Sequence, residues 1–290
     1  MKTTIVGLGL IGGSVAIDLR SAGLATELLG VDLNPVHAEK ALQLGLVDRL
    51  DSMDSAISSS DLVILAIPVA ALTSLLPTIL NSVKPNAVVI DMGSTKSLIC
   101  RSVQNHSNRK QFVAAHPIAG TENSGPEAAF AGLFQNKTLI VCEKAKSSSH
   151  AQSVADQVFD TLGLNTIFME PEEHDKHVAY VSHLSHVSSF LLGQTVLDIE
   201  KDEKNIFALA GSGFASTVRL AKSSPEMWAP IFDQNLEYLS QALQEYILHL
   251  QRFHFHLINH NTKELLQTMT DANQIRRVLE GIELKTKTSA

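Results

Sequence analysis

The feature that most narrows the fold is a glycine cluster caught between a strand and a helix. Gly7-Leu8-Gly9-Leu10-Ile11-Gly12 fits G-x-G-x-x-G. It follows the apolar, strand-like residues 3–6 directly and opens a helical stretch over 13–22. The pattern alone is common, but a strand before it and a helix after it specify a dinucleotide-binding turn. Gly7 permits the tight turn, Gly9 lets the backbone approach a pyrophosphate, and Gly12 lets the helix pack on the strand. The helix start at Leu10 and Ile11 then offers free N–H groups and a partial positive charge to phosphates. Asp32 lies twenty positions past Gly12, where its carboxylate suits two ribose hydroxyls. It would repel a 2′-phosphate, and residues 33–37 hold no Lys or Arg to receive one, so NAD is expected over NADP. The same Asp32 also suits capping of the next helix.

Short apolar runs alternate with helical stretches through the first half. Strands are expected at 28–31, 62–66, 87–90, 112–115, 138–142 and 166–168, and helices at 35–44, 69–80, 96–104 and 149–162. Strands that are apolar throughout and alternate with helices indicate a parallel sheet covered on both faces. An α/β, Rossmann-type, mostly parallel sheet domain is therefore expected over residues 1–170. After Pro171 strand signals stop, and helical patterns run over 172–199, 205–209, 224–259 and 263–280. Residues 171–290 are expected to form an all-α domain. Its stretch 228–259 carries Leu236, Leu239, Leu243, Ile247 and Leu250 on more than one face. A second copy covering the surplus face would make a homodimer through the C-terminal helices.

Composition excludes several classes. The 290 residues are 44% apolar and 18% charged, as in a globular protein, and the net charge of −7 argues against nucleic acid. Cys100 and Cys142 are far apart and lack metal-ligand spacing, which suits two buried thiols in a reducing compartment. Glycines and the charged Asp18 and Arg20 break the N-terminal apolar run, and no stretch reaches the ~20 apolar residues of a membrane span. A cytoplasmic protein without an anchor is expected. His249, His254, His256 and His260 have no nearby Cys or acidic co-ligand, so a solvated or interfacial face is expected there and no metal site.

Candidate catalytic residues collect just past the strands, on the edge that carries the glycine loop, where ligands bind in this architecture. Pro68 follows the third long strand, where it either borders the nicotinamide crevice or initiates a helix. Asp91-Met92-Gly93-Ser94-Thr95-Lys96 follows the next, and His116-Pro117-Ile118-Ala119-Gly120-Thr121-Glu122 the one after. His116 suits a general base because imidazole is partly neutral near pH 7. Ser94 suits a hydrogen bond to His116 or to a substrate hydroxyl, or an N-cap for the helix beginning at Lys96.

Together with S-H-L-S-H at 182–186 and R-L-A-K-S-S-P-E-M-W at 219–228, these segments resemble the prephenate/arogenate dehydrogenase family, in order and over nearly the whole chain. The resemblance implies a Rossmann domain with a helical dimerisation domain and NAD-dependent oxidative decarboxylation of prephenate in tyrosine biosynthesis. It assigns the hydroxyl proton to His116, the substrate carboxylate to Arg219, and a second anion contact to His186, a position that resembles the prephenate-using members. Glu122 is either a polar gate near the site or an exposed loop carboxylate. His183 either touches the site or packs its helix, and Trp228 either walls the pocket or belongs to the core.

Two departures stand out. Ser185 replaces the family's Pro, and Ala215-Ser216 stand where many relatives carry a charged pair. Alternatives to prephenate dehydrogenase are an arogenate dehydrogenase, a β-hydroxy-acid or imine dehydrogenase using Lys176 or Lys222, and a non-catalytic NAD-binding sensor.

Overall fold

The computed structural model describes residues 1–287 except 202 and 204, with side chains described through Ile282. The chain begins β1 (Lys2–Val6), α1 (Leu10–Ser21), β2 (Glu27–Val31), α2 (Pro35–Gln43), β3 (Arg49–Leu50) and α3 (Met53–Ser59). It continues β4 (Leu62–Leu65), α4 (Val69–Ser82), β5 (Val88–Asp91), α5 (Ser97–Ser102), β6 (Phe112–Pro117), β7 (Thr138–Cys142), α6 (Ser149–Thr161) and β8 (Asn165–Met169). The strands form one sheet in the order β3-β2-β1-β4-β5-β6-β7-β8. Neighbours are parallel from β3 through β6, and the β6–β7 pair alone is antiparallel, with His116 opposite Ile140. The order reverses between β1 and β4, which opens a crevice at the carboxyl ends of the central strands.

Both faces of the sheet are buried, and that explains the unbroken apolar strands. Ile5, Leu28, Ile64 and Ile90 pack on one side with Val15 and Leu19 of α1 and Val154 and Val158 of α6. Val6, Leu29, Val63 and Val89 pack on the other with Ile57, Leu72, Leu76 and Ile99. Alternate residues of each strand thus serve opposite cores, as the pleat requires.

After β8 come α7 (Pro171–Val178), a π-helical turn over Ala179–His183, α8 (Leu184–Glu200), α9 (Ser212–Val218) and α10 (Pro225–Gln234). The expected helix over 172–199 is therefore interrupted. The π turn ends at His183, and Ser185 and His186 follow it in the first turn of α8. The expected helix over 224–259 also divides. Asn235 leaves the helical backbone, and its buried side chain bonds to the Asp175 carbonyl and to His183.

Compactness divides the chain at this residue, into Met1–Asn235 and Leu236–Ala290. The change of pattern near residue 170 is a change of secondary structure. The helices from α7 to α10 belong to the sheet's own compact unit, and Trp228 and Ile231 of α10 join the core on one sheet face. The second unit holds α11 (Leu236–Ile258), α12 (Thr262–Ala272) and α13 (Arg276–Lys287). No helix among the described residues is long and apolar enough to cross a membrane.

Candidate active site

The glycine loop has the geometry of a phosphate cradle. Gly7 sits at φ +92°, and a Cβ there would lie 2.3 Å from the Ala66 carbonyl oxygen. A Cβ on Gly12 would lie 1.9 Å from the Gly7 carbonyl oxygen, so only glycine lets α1 start this close to β1. At Gly9, by contrast, a Cβ would meet nothing within 4 Å, so the backbone there faces open space. Gly9 is also the N-cap of α1, and no side chain caps it, which leaves the first N–H groups, around Leu10 and Ile11, to a ligand. A dinucleotide's phosphates fit this space and this polarity. Asp32 accepts hydrogen bonds from Leu8 N and Asn34 N, both at 2.8 Å, and so ties the glycine loop to the end of β2. The following helix is capped by Asn34, which accepts from Val36 N at 3.0 Å. The capping role open to Asp32 thus falls to its neighbour. Pro68 is exposed and occupies the N-cap position of α4, three residues past the carboxyl end of β4.

A line of polar side chains runs from the interior to the carboxyl edge. Asp91 and Lys96, both fully buried, form an ion pair, and Asp91 also accepts Ala115 N at 2.9 Å, one residue before His116. Asp175, in α7, accepts Lys96 N at 2.7 Å and Ser97 N at 2.8 Å, capping the start of α5. Its Oδ1 lies 2.8 Å from His174 Nδ1, and His174 Nε2 lies 2.7 Å from His116 Nδ1. His116 is half-buried and is the penultimate residue of strand β6, paired with Ile140 rather than lying beyond the strand. Burial, with His174, Lys96 and His183 nearby, holds its pKa well below the usual 6.5. Burial likewise lowers His174, against the opposing pull of Asp175. Burial alone would raise Asp175, but hydrogen bonds from His174 and Ser97 leave its carboxyl below the ordinary range.

This line narrows one expectation to the substrate hydroxyl. Ser94 is half-buried in the turn before α5, yet the His116 ring bonds to His174, and Lys96 rather than Ser94 is the N-cap residue. The physical reason is that the Asp175 carboxylate takes the N–H groups a Ser cap would have satisfied. His174, Asp175 and Asn235 escaped the sequence reading. Pro171-Glu172-Glu173 reads as a helix start, and a His-Asp pair in such a first turn looks like a solvated face.

A second group lies along the π turn, α8 and α10. His183 is buried, and Asn235 donates to its Nδ1 at 3.1 Å. Burial lowers its pKa to about 4. His186 stacks on Trp228, ring centroids 3.5 Å apart, and its Nδ1 lies 3.0 Å from the Ser182 carbonyl oxygen. Burial, with Arg219 nearby, lowers the His186 pKa. Neutral His186 therefore spends its single N–H on the Ser182 carbonyl and presents Nε2 as an acceptor. Donation to a keto acid, the expected role, requires the protonated ring. Arg219 follows α9 and pairs with Glu122 Oε2 at 3.2 Å, while its side chain stays 53% exposed. Glu122 is thereby held below the ordinary carboxylate range, first by its own backbone N–H and then by Arg219. Ala215 and Ser216 are exposed on α9, one turn before Arg219. Lys176 and Lys222 are exposed as well. Cys100 and Cys142 are buried and free, and burial pushes the Cys142 thiol up to about 12.

Comparison with known proteins agrees along nearly the whole chain. Residues 15–167 match the nucleotide-binding domain of prephenate dehydrogenase, and residues 170–271 match its dimerization domain. The chain belongs to the prephenate dehydrogenase family. The family match begins beyond the glycine loop, but likeness to individual members spans it. The chain is 31% identical over 297 residues to the prephenate dehydrogenase of Bacillus subtilis (strain 168), covering 99% of this chain and 78% of that relative. It is 29% identical to the cyclohexadienyl dehydrogenase of Zymomonas mobilis, covering 95% of each. The crystal structure of Aquifex aeolicus prephenate dehydrogenase, in complex with hydroxyphenyl propionate and NAD+, matches with a TM-score of 0.87 at 31% identity, covering 96% of this chain and 98% of that one. The family is one of oxidoreductases, and the expectation of a two-part architecture with a dimerization domain holds.

Proposed function

We propose that this chain is an NAD-dependent prephenate dehydrogenase, converting prephenate to 4-hydroxyphenylpyruvate and CO2 and working as a homodimer through its C-terminal helices. The observation that carries the reading is the placement of His116 at the carboxyl edge of the sheet. It stands in the same compact unit as the glycine loop and as Arg219, which pairs with Glu122 six residues after it.

Prephenate carries a ring hydroxyl, a ring carboxylate and a pyruvyl side chain. When bound, NAD accepts the hydride from the hydroxyl-bearing ring carbon. His116 takes the hydroxyl proton as that hydride leaves, and Ser94 lies on the neighbouring turn to help hold the hydroxyl. Loss of CO2 then delivers the bonding electrons to the ring, which becomes aromatic, and the proton on His116 returns to the phenolate oxygen. The charges balance: prephenate dianion and NAD+ give the product monoanion, CO2 and NADH. Arg219 can exchange Glu122 for a substrate carboxylate at no loss of charge pairing. His186 contacts the side chain as an imidazolium, a form that a dianionic substrate beside it favours. Gly7, Gly9, Leu10, Ile11, Gly12, Asp32 and Pro68 line the cofactor side.

One observation favours a second reading. A neutral His186 presents an acceptor, and an acceptor suits the ammonium of arogenate better than the keto group of prephenate. The purified chain should therefore be given NAD with each substrate in parallel, and NADH absorbance followed. Faster turnover of prephenate is expected. Preference for arogenate would move the assignment to arogenate dehydrogenase, and NAD binding without turnover of either would point to a sensor. Changing His116→Asn is expected to abolish turnover while NAD affinity stays within about threefold, because the base makes no bond to the cradle.

A further inference from the structure

A base must present a lone pair, and in a neutral imidazole only one of two nitrogens has one. Which nitrogen of His116 is bare follows from its neighbours. Asp175 accepts two backbone N–H groups, from Lys96 and Ser97, and as an ionised carboxylate it has no proton to give. The 2.8 Å contact with His174 Nδ1 therefore places a proton on that nitrogen. Buried His174 is neutral, so its Nε2 carries the lone pair. The 2.7 Å contact between His174 Nε2 and His116 Nδ1 then requires His116 Nδ1 to donate. The remaining nitrogen of His116, Nε2, is left bare.

We infer that His174 and Asp175 are positioning residues that lock His116 in the tautomer whose Nε2 can accept a proton; the inference rests on the dehydrogenase reading above. The two rings meet edge-on, with centroids 5.0 Å apart and planes at 69°, which fixes the His116 ring plane as well as its tautomer. When His116 takes the substrate proton, its Nδ1–H becomes a cationic donor. The neutral His174 Nε2 receives it with Asp175 behind, so the carboxylate stabilises the new charge through one intervening ring. The other groups close to His116 are Lys96, from the turn before α5, and His183, from the π turn; both disfavour its charged form. The Asp175 line is thus the anionic support for the imidazolium. Asn235 ties the same line to the π turn by donating to the Asp175 carbonyl and to His183 Nδ1.

The test combines ring nitrogen spectra of 15N-histidine-labelled protein, with NAD present, and kinetics of two variants. In the native chain, His116 is expected to show a protonated Nδ1 and a bare Nε2. His174→Leu removes the acceptor and is expected to lower kcat roughly 100-fold or more while NAD affinity and substrate KM stay within about threefold. His174→Gln offers an amide oxygen to the same Nδ1–H and is expected to recover most of that loss. A proton on Nε2 of native His116, or a His174→Leu enzyme with kcat within about threefold of native, would overturn the inference. If the Leu variant fails to fold, the native spectrum decides alone. If neither prephenate nor arogenate is turned over, the functional reading fails, and the spectrum still decides the tautomer.

Discussion

His116 is asked to be a base in surroundings that resist its protonation. A lowered pKa means that the neutral, active form persists at pH values where a free imidazole would already be charged. The acid limb of kcat/KM, which reports the free enzyme, is therefore expected well below pH 6.5, the usual histidine value. A midpoint at or above 6.5 would mean that His116 is not the group being titrated. Arg219 answers to a different readout. Its partner in the free chain is Glu122, so Arg219→Gln removes the charge that a substrate carboxylate would take over. Steady-state kinetics are expected to show a raised KM, worth roughly 2–4 kcal/mol, and an unchanged KM would move the anion contact elsewhere. His116 and Arg219 were legible in the sequence because each stands in a distinctive short motif. Asp175 and Asn235 were not. Their roles depend on which backbone groups lie across the fold from them, and no local pattern records that.

At the scale of elements, the tightest constraint is where α1 meets β1. A methyl group on Gly12 would lie 1.9 Å from the Gly7 carbonyl and 2.9 Å from Ile5 Cγ2, so Gly12→Ala must push the helix off the strand. That displacement moves the N–H groups that face the phosphates. NAD affinity in a binding titration is expected to fall at least about tenfold, with a lower Tm. Near-native affinity would show that the cradle is not formed by this turn. The strands were readable because burial on both faces makes them apolar throughout. The edge strand Arg49–Leu50 and the short α3 were not, being too brief to show a period. The breaks at the π turn and at Asn235 were hidden for another reason. Apolar spacing runs on through both, and at Asn235 the break coincides with side-chain hydrogen bonds to groups distant in sequence.

At the scale of the whole molecule, the second compact unit leaves large apolar residues open in a single chain. Leu250, Leu257, Leu266 and Leu279 are each more than half exposed. The family's dimerization domain covers these positions up to residue 271, so a second copy is expected to cover the exposed apolar side chains. Sedimentation of the native chain is expected to report a dimer, and charged substitutions at Leu250 and Leu257 are expected to shift it toward monomer. A native monomer at micromolar concentration would contradict the assignment. The apolar residues on several faces of residues 228–259 carried that signal in the sequence, although the helix they belong to begins only at Leu236.

All of these expectations depend on one convergence, and a crystal structure of the ternary complex with NAD+ and 4-hydroxyphenylpyruvate would test it most directly. The phenolic oxygen is expected within hydrogen-bond distance of His116 Nε2, with the nicotinamide ring beside it and the product carboxylate on Arg219. A product bound with its phenol away from His116, or outside the cleft that opens at Gly9, would contradict it.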